Sequence, residues 1–263
     1  MDILSRAFEV DGVEPLSEQF VRGLTENMGH THHKIEENGQ VVALIATDGS
    51  TAELVVDPAF RRRGLGSRLF EEAGKPPVWA HGDLPAARAF SQHFGLVATR
   101  ILLVMGRDDY EPQPATLPAG FRIVTAAEEC EDEQWVRVNN EAFSWHPEQG
   151  GWNVDKLREA RATSWYDPTG VFFLYEGDHL AGFHWTKRVD GVGEVYVIGL
   201  GDGYRGRGLG RPLLTAGLNA MAEDKRIILY VEGDNDAAVG MYSALGFTEG
   251  ERHVVYEVPA GDK

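Results

Sequence analysis

The segment YRGRGLGRPLL, Tyr204 to Leu214, alternates arginine with glycine where an apolar stretch gives way to a helix-forming one. A strand that ends this way and opens a helix brings unpaired backbone N–H groups together, with the positive end of the helix dipole behind them. That is an anion site. Missing Cβ atoms let a phosphate approach the main chain, and Arg205, Arg207 and Arg211 add charge suited to a pyrophosphate. The expected guest is a diphosphate-bearing cofactor. Just upstream, GEVYVIGL (Gly193 to Leu200) reads as a strand whose alternation puts Glu194, Tyr196 and Ile198 on one face. A carboxylate in an otherwise apolar strand needs a reason, because burying an unpartnered charge is costly. Just downstream, NDAAVGMYSALGF (Asn235 to Phe247) reads as a helix that Asn235 can cap through its side-chain oxygen, with Tyr242 near its end.

A shorter copy of the glycine-rich phrase, FRRRGLGSRLF, stands at Phe60 to Phe70, more than half the chain away. This separation is far too long for a solenoid period and is the spacing of duplicated domains. Other readings of the loop are weaker. GDGYRG (Gly201 to Gly206) satisfies GxGxxG, but a dinucleotide fingerprint expects a βαβ unit of parallel strands, and neither copy has the lysine of a Walker A loop. The plainest alternative is a helix N-terminus with solvated arginines.

These residues need elements to hold them. In the first half QVVALIAT (Gln40 to Thr47) and TAELVVD (Thr51 to Asp57) read as strands joined by DGS, and the glycine segment then opens a helix. The second half repeats the order: the hairpin GVFFLYEGDHLAGFHWTK, the strand GEVYVIGL, a helix from about Gly208 to Ala222, the strand IILYVEG, a helix from about Asn235 to Ala244, and a strand near HVVYEV. Between the halves DDYEPQPATLPAG reads as a stiff Pro-rich connector. The expected architecture is α/β: two tandem domains, 1–107 and 119–263, joined by a linker at 108–118, each a mixed, mostly antiparallel sheet flanked by helices.

Composition narrows the function classes. The chain has 263 residues, 43% of them hydrophobic, enough for two real cores. Its 41 acidic against 25 basic residues leave a net charge of −16, which disfavours general binding to nucleic acid or anionic membrane. Cys130 is the only cysteine, so no internal disulfide or Cys-rich metal site can form, and a semi-buried apolar position is expected for it. His146 and His184 have no third ligand at a recognisable spacing, and THH near His32 reads as a solvated loop, so no metal is expected. Neither a secretory leader nor a membrane span is read in the sequence, and a cytoplasmic protein is expected.

The pattern RxxGxG fits both copies, as Arg205, Gly208 and Gly210 and as Arg61, Gly64 and Gly66. Here the chain resembles the acetyl-CoA-dependent N-acetyltransferases of the GNAT family. The resemblance implies that the loop holds the CoA pyrophosphate and that a bulged strand offers its main chain to the pantetheine arm. The strand residues would be Ile198, Gly199 and Leu200 in the second half and Leu54, Val55 and Val56 in the first. The same resemblance carries cofactor contacts onto Arg205, Gly206, Arg207, Gly208, Leu209, Gly210 and Arg211, onto Tyr230, and onto Asn235, Asp236, Ala237, Ala238, Val239 and Gly240. In the first half it carries them onto Arg62, Arg63, Gly64, Leu65, Gly66 and Ser67. It makes Tyr242 the acid that protonates the departing thiolate. An amine must be neutral to attack a thioester, and Glu194 is the candidate base.

The corresponding stretch of the first half, AHGDLPAARAFSQHFGL (Ala80 to Leu96), has Leu84 or Pro85 where a cap is wanted and Ser91 or Gln92 in the tyrosine region. Chemistry is therefore expected in the second half alone. VNNEAFSWHPEQGGW, AGFHWTK, GEVYVIGL and LYVEGDNDAAVGMYSALGF, with DGVEPLSEQ, AELVVDPAFRRRGLG and VWAHG, further resemble the mycothiol synthases, tandem GNAT enzymes of actinobacteria, across nearly the whole chain. That resemblance implies acetyl transfer to the cysteinyl amine of a cysteinyl-glucosaminyl-inositol, desacetylmycothiol, with Glu18, Glu148, Lys187 and Glu194 contacting the acceptor; a monomer is expected. Two positions depart from the pattern. Gly201-Asp202 replaces the usual acidic-Pro step, and Gly240 stands where arginine is common; both bear on cofactor affinity. Another amine acceptor, or a CoA-binding module without turnover, are the alternative readings.

Overall fold

The protein is described by a computed structural model covering residues 2–145 and 149–261. Glu148 and His146 lie outside the described residues. In chain order the elements are α1 (Ile3–Asp11), α2 (Glu18–Gly23), β1 (Thr31–Glu37), β2 (Gln40–Thr47), β3 (Ala52–Val56), α3 (Leu65–Glu72), β4 (Val78–Ala80), α4 (Pro85–Phe94) and β5 (Val97–Asp108). Then follow β6 (Phe121–Thr125), α5 (Asp132–Ala142), α6 (Val154–Arg161), β7 (Val171–Glu176), β8 (His179–Val189), β9 (Val192–Leu200), α7 (Gly210–Ala220), β10 (Arg226–Glu232), α8 (Asp236–Ala244) and β11 (Thr248–Glu257).

Two compact units divide the described residues, and they interleave along the chain. One comprises the chain through Val104, with Val231–Gly240 and the segment from Glu249 onward; the other comprises Met105–Tyr230 and Met241–Thr248.

In the first unit the strand order is β1-β2-β3-β4-β11-β5, so the last strand of the chain lies between β4 and β5. β2 is apolar almost throughout because both of its faces are covered. Val42, Ala43 and Ile45 pack with Leu69 and Phe70 of α3, while Leu44 and Ala46 pack with Ile3, Ala7 and Phe20 of α1 and α2. Asp2 caps α1, its carboxylate accepting from Ser5 N at 2.9 Å. The THH segment belongs to β1, which pairs with β2 from Thr31 opposite Thr47 to Glu37 opposite Gln40. The expected loop there is thus a strand, whose alternation was hidden because β1 lies at an edge and stays largely exposed.

In the second unit the order is β10-β9-β8-β7-β6. One face of this sheet carries α5 and α6 over an aromatic cluster of Trp135, Phe173, Tyr175, Phe183 and Trp185. The other face carries α7, whose Leu213 packs with Leu174, Ala181, Ile198 and Leu200. The connector after β5 is fastened within this unit: Asn219 of α7 accepts from Gln113 N and from the Tyr110 hydroxyl and donates to Gln113 O. Cys130 is exposed, against the expected semi-buried position, with its Sγ 3.7 Å from Asp132 Oδ1 and 3.6 Å from Arg161 Nη1. It precedes α5 at a polar corner, where no apolar surface is on offer.

Two breaks in regular pairing matter for the site. Trp185 opposes Val197 while Thr186 opposes Val195, so Tyr196 is the extra residue of a β-bulge. Parity changes at this bulge. Glu194 opposes Lys187 on the face of Trp185, whereas Ile198 opposes His184 and packs toward α7. Simple alternation had put Glu194, Tyr196 and Ile198 together; the bulge separates Ile198 from the other two. The second break is that the parallel ladder of β9 with β10 runs from Val192 opposite Arg226 only to Val195 opposite Leu229, although β9 continues to Leu200. Likewise β3 pairs with β4 only at Ala52 and Glu53 and continues to Val56. Each splayed strand leads directly to a glycine loop.

Candidate active site

In the second unit the loop from Gly201 to Leu209 turns on left-handed glycines, Gly206 at φ 72° and Gly208 at φ 74°. A side chain at either would be strained, which explains the glycines independently of any ligand. Arg205 is turned onto the loop's own main chain: its Nε donates to Leu200 O at 3.4 Å and its Nη2 to Glu141 O at 2.6 Å. Arg207 pairs with Glu176 at 2.9 Å and lies over the rings of Phe121 and Tyr204. Arg211 is exposed on the first turn of α7, and Leu209 is buried beneath it. The arginines expected around a pyrophosphate thus divide into two that shape the loop and one at the helix mouth. No local pattern marks Glu141, whose carboxylate accepts from Asp202 N at 2.9 Å and steadies the turn.

Glu194 and Lys187 come together. They face each other across β8 and β9 with Lys187 Nζ 3.9 Å from Glu194 Oε2, both side chains mostly buried. Lys187 Nζ also lies 5.1 Å from the centroid of Trp165 and 5.9 Å from that of Tyr196. Trp165, in the turn after α6, went unnoticed in the sequence because nothing in its local pattern marks it. Tyr230 is exposed on β10 beside the end of the β9 ladder. Ile198, Gly199 and Leu200 lie on the stretch of β9 that pairs with β8 but no longer with β10. Gly199 is closely packed, since a Cβ there would meet Ala142 at 2.7 Å.

Asn235 precedes α8, and its Oδ1 accepts from Ala238 N at 3.1 Å, closing the N-terminus of that helix. Asp236, Ala237, Ala238, Val239 and Gly240 form its first turns, and a Cβ at Gly240 would meet nothing within 4 Å. Tyr242 is buried in the second unit, its ring against Phe247, and burial pushes its phenol up to about 12. A hydroxyl held neutral in this way is a standing proton donor. Glu18 is exposed in the first turn of α2, in the first unit.

The first unit has a loop of the same construction. Gly64 has φ 78°, and a Cβ at Gly66 would crowd Val56 at 3.3 Å. Arg61 Nε donates to Val56 O at 3.1 Å, and its guanidinium grips Asp11 at 2.8 and 2.5 Å. Arg63 pairs with Glu37 at 2.9 Å. Leu54, Val55, Val56, Arg62, Gly64, Leu65, Gly66 and Ser67 all line a cavity of about 910 Å³. The helix beside this cavity carries no tyrosine at the place of Tyr242: Ser91 on α4 donates its hydroxyl to Arg88 O at 2.9 Å, and Leu84 caps that helix without a side-chain hydrogen bond. A roomy cleft fits a diphosphate carrier, but its phenol, Tyr256, is spent on the Asp83 carboxylate at 2.8 Å, whereas in the second phrase's surroundings the glycine loop is followed by a helix that Asn235 caps and that carries the buried Tyr242.

A left-handed glycine loop behind a strand that has parted from its parallel neighbour, present in both units, is the construction of an acyltransferase fold. Residues 134–247 match the Acetyltransferase (GNAT) family. Among solved structures the chain is similar to a GCN5-related N-acetyltransferase from Sphaerobacter thermophilus, with a TM-score of 0.74 at 20% identity over 99% of this chain and 92% of that one. It is also similar to a tandem GNAT protein from the clavulanic acid biosynthesis pathway, with a TM-score of 0.62 at 21% identity over 89% and 84%. Curated relatives named mycothiol acetyltransferase include those of Corynebacterium efficiens, 49% identical over 98% of this chain and 91% of the relative, and Tsukamurella paurometabola, 42% identical over 97% and 93%. The chain belongs to the mycothiol acetyltransferases, a tandem branch of the GNAT family, and is an acetyl-transferring enzyme.

Proposed function

We propose that this chain transfers acetyl from acetyl-CoA to the cysteinyl amine of desacetylmycothiol, the last step of mycothiol biosynthesis, and that residues 119–263 carry the reaction while residues 1–107 do not. The observation that carries this reading is the juxtaposition of Glu194 with the open edge of β9 and the glycine loop that follows it. The residues present fit the cosubstrate. Main chain from Ile198 to Leu200 is unpaired on the side facing away from β8, and backbone N–H groups from Gly206 to Gly210 open α7. Acetyl-CoA supplies an activated thioester. Tyr230, Arg211 and the turn from Asn235 to Gly240 are the further residues proposed to hold it.

Glu194 takes a proton from the acceptor ammonium, leaving a neutral amine to attack. Lys187 donates to a hydroxyl or carbonyl oxygen of the acceptor, and Glu18 and Glu148 accept from its hydroxyls. Tyr242 holds its proton at the phenol oxygen and gives it to the leaving sulfur, which balances the proton taken by Glu194. The enzyme is proposed to act as a cytoplasmic monomer without a metal. Among the described residues no helix is long and apolar enough to cross a membrane.

The test is incubation of the purified protein with acetyl-CoA and desacetylmycothiol, following free CoA thiol and the acetylated product by mass. Turnover with other amines but none with this acceptor would reject the substrate. No turnover with any amine would reject catalysis.

A further inference from the structure

The first amides after β9 are held by other elements of the second unit. Gly201 N donates to Ala181 O at 2.9 Å, and Asp202 N donates to Glu141 Oε2 at 2.9 Å, so two consecutive N–H groups are fixed where the glycine loop begins. The Glu141 carboxylate is held in turn. Its other oxygen accepts from Arg137 Nη1 at 2.8 Å, and Arg137 Nη2 donates to Leu180 O at 2.9 Å, one residue before the carbonyl that takes Gly201. Arg205 adds a bond from the loop back to α5, at Glu141 O. α5 itself is anchored by Trp135 and Val138 in the aromatic core.

This arrangement accounts for the Gly201-Asp202 step. Gly201 is buried and does not lie in the left-handed region, so its backbone conformation does not call for glycine. Space does: a Cβ there would meet Glu141 Oε2 at 2.7 Å, while the next neighbours, Ala181 O and Val138 Cγ2, stand at ordinary distances of 3.6 and 3.7 Å. Proline at 202 would have no N–H to give the carboxylate. We propose that Glu141 is a positioning residue for acetyl-CoA: from α5 it stiffens the entry to the loop and so fixes the direction in which the N–H groups from Gly206 to Gly210 point. The proposal rests on the reading of that loop as the pyrophosphate site. A loop ordered before its ligand arrives avoids the ordering cost at binding. Glu141 therefore acts on affinity for the cosubstrate and leaves the chemical step alone.

The experiment compares Glu141→Ala, Gly201→Ala and the double variant with the parent, with melting curves alongside. Two readouts are taken: kcat and KM for acetyl-CoA with desacetylmycothiol, and the CoA concentration that half-protects the amides of residues 206–210 from hydrogen exchange, which reads affinity at this loop alone. Glu141→Ala should raise both the KM and the half-protecting concentration about tenfold, with kcat near the parent value. Gly201→Ala, which pushes the carboxylate off the Asp202 amide, should raise both in the same direction. The double variant should be no worse than Glu141→Ala, because the added methyl then meets nothing closer than ordinary contact. Unchanged affinity in Glu141→Ala overturns the proposal, as do additive effects in the double variant or a loss confined to kcat. Should Glu141→Ala not fold, Gly201→Ala answers alone, and parent affinity there overturns the proposal. Arg211→Glu is run beside them. If it too leaves KM and protection unchanged, the reading of the loop fails; if it weakens both while the other variants do not, the assignment of Glu141 alone fails.

Discussion

In the first unit Arg61 reaches back to the carbonyl of Val56, and in the second Arg205 reaches back to that of Leu200; each ties a glycine loop to the end of the strand that feeds it. Gly64 and Gly208 then turn left-handed at nearly the same φ, 78° and 74°. Two positions earlier in each phrase the pair is Arg62 at 63° and Gly206 at 72°, so the backbone is the same even where the glycine is not. The surroundings differ more than the loops. Asn235 caps its helix and Tyr242 is buried along it, whereas Leu84 caps without a hydrogen bond and Ser91 spends its hydroxyl on Arg88 O. A glycine loop of this kind is held by its own strand and arginine in both units, so the loop alone does not tell them apart; their neighbours do.

The sharpest way to break this comparison is Glu194→Gln, expected to lower kcat/KM by roughly 10²- to 10⁴-fold. The deficit should be greatest at low pH, where the acceptor amine is protonated and nothing removes its proton. A residual rate within a few fold of the parent would place chemistry elsewhere. Next comes Tyr242→Phe, expected to cut kcat about ten- to a hundredfold with little change in KM, against no effect on turnover from Ser91→Ala. With Tyr242 pushed up to about 12 by burial, the parent should show no alkaline loss from this phenol through about pH 10.

The helix behind each loop offers a third contrast. α3 rests on apolar side chains, but α7 rests on His184, which is fully buried, lies against Gly217, and is held near 4 by that burial. An unfolded imidazole takes up a proton below about 6.5 while this one waits until about 4, so stability is complete above 6.5 and falls as the pH drops toward 4. The loss from His184 should approach about 3 kcal/mol. Urea midpoints of the parent and His184→Gln between pH 7 and pH 4.5 check the slope, which the variant should flatten. A smaller effect is expected from Arg61→Ala, which frees Asp11 and the Val56 carbonyl: about 1–3 kcal/mol of stability, with turnover per folded molecule unchanged. Smallest is the exchange at the left-handed position. Arg62→Gly should gain, and Gly206→Ala lose, about 1 kcal/mol or less in thermal melts.

Much of this was legible in the residues. β2 coincides with the expected strand at Gln40–Thr47, and the helix expected to start near Gly208 begins at Gly210, because the left-handed φ of Gly208 delays it. Glu194 and Tyr242 stood out because a carboxylate in an apolar strand and a phenol on a capped helix are exceptions to local pattern. What was hidden depends on tertiary contact. A bulge changes the face of every residue beyond it and leaves no mark on the period before it, so Ile198 was put on the wrong side. Trp165 meets Lys187 from a distant turn, Glu141 meets the loop from α5, and Cys130 sits exposed; none of these follows from neighbours in sequence. α1 and α2 are short, and their buried apolar side chains contact the sheet only from its second face, a partner that local sequence does not show.

β11 lies between β4 and β5, although more than a hundred residues of chain separate it from either. During synthesis those two strands must wait, with open edges, until the chain through Glu257 has left the ribosome. The unit that begins first is therefore completed last, and a chain cut at the Pro-rich connector would yield an N-terminal piece with a gap in the middle of its sheet, prone to recruit a stranger's strand.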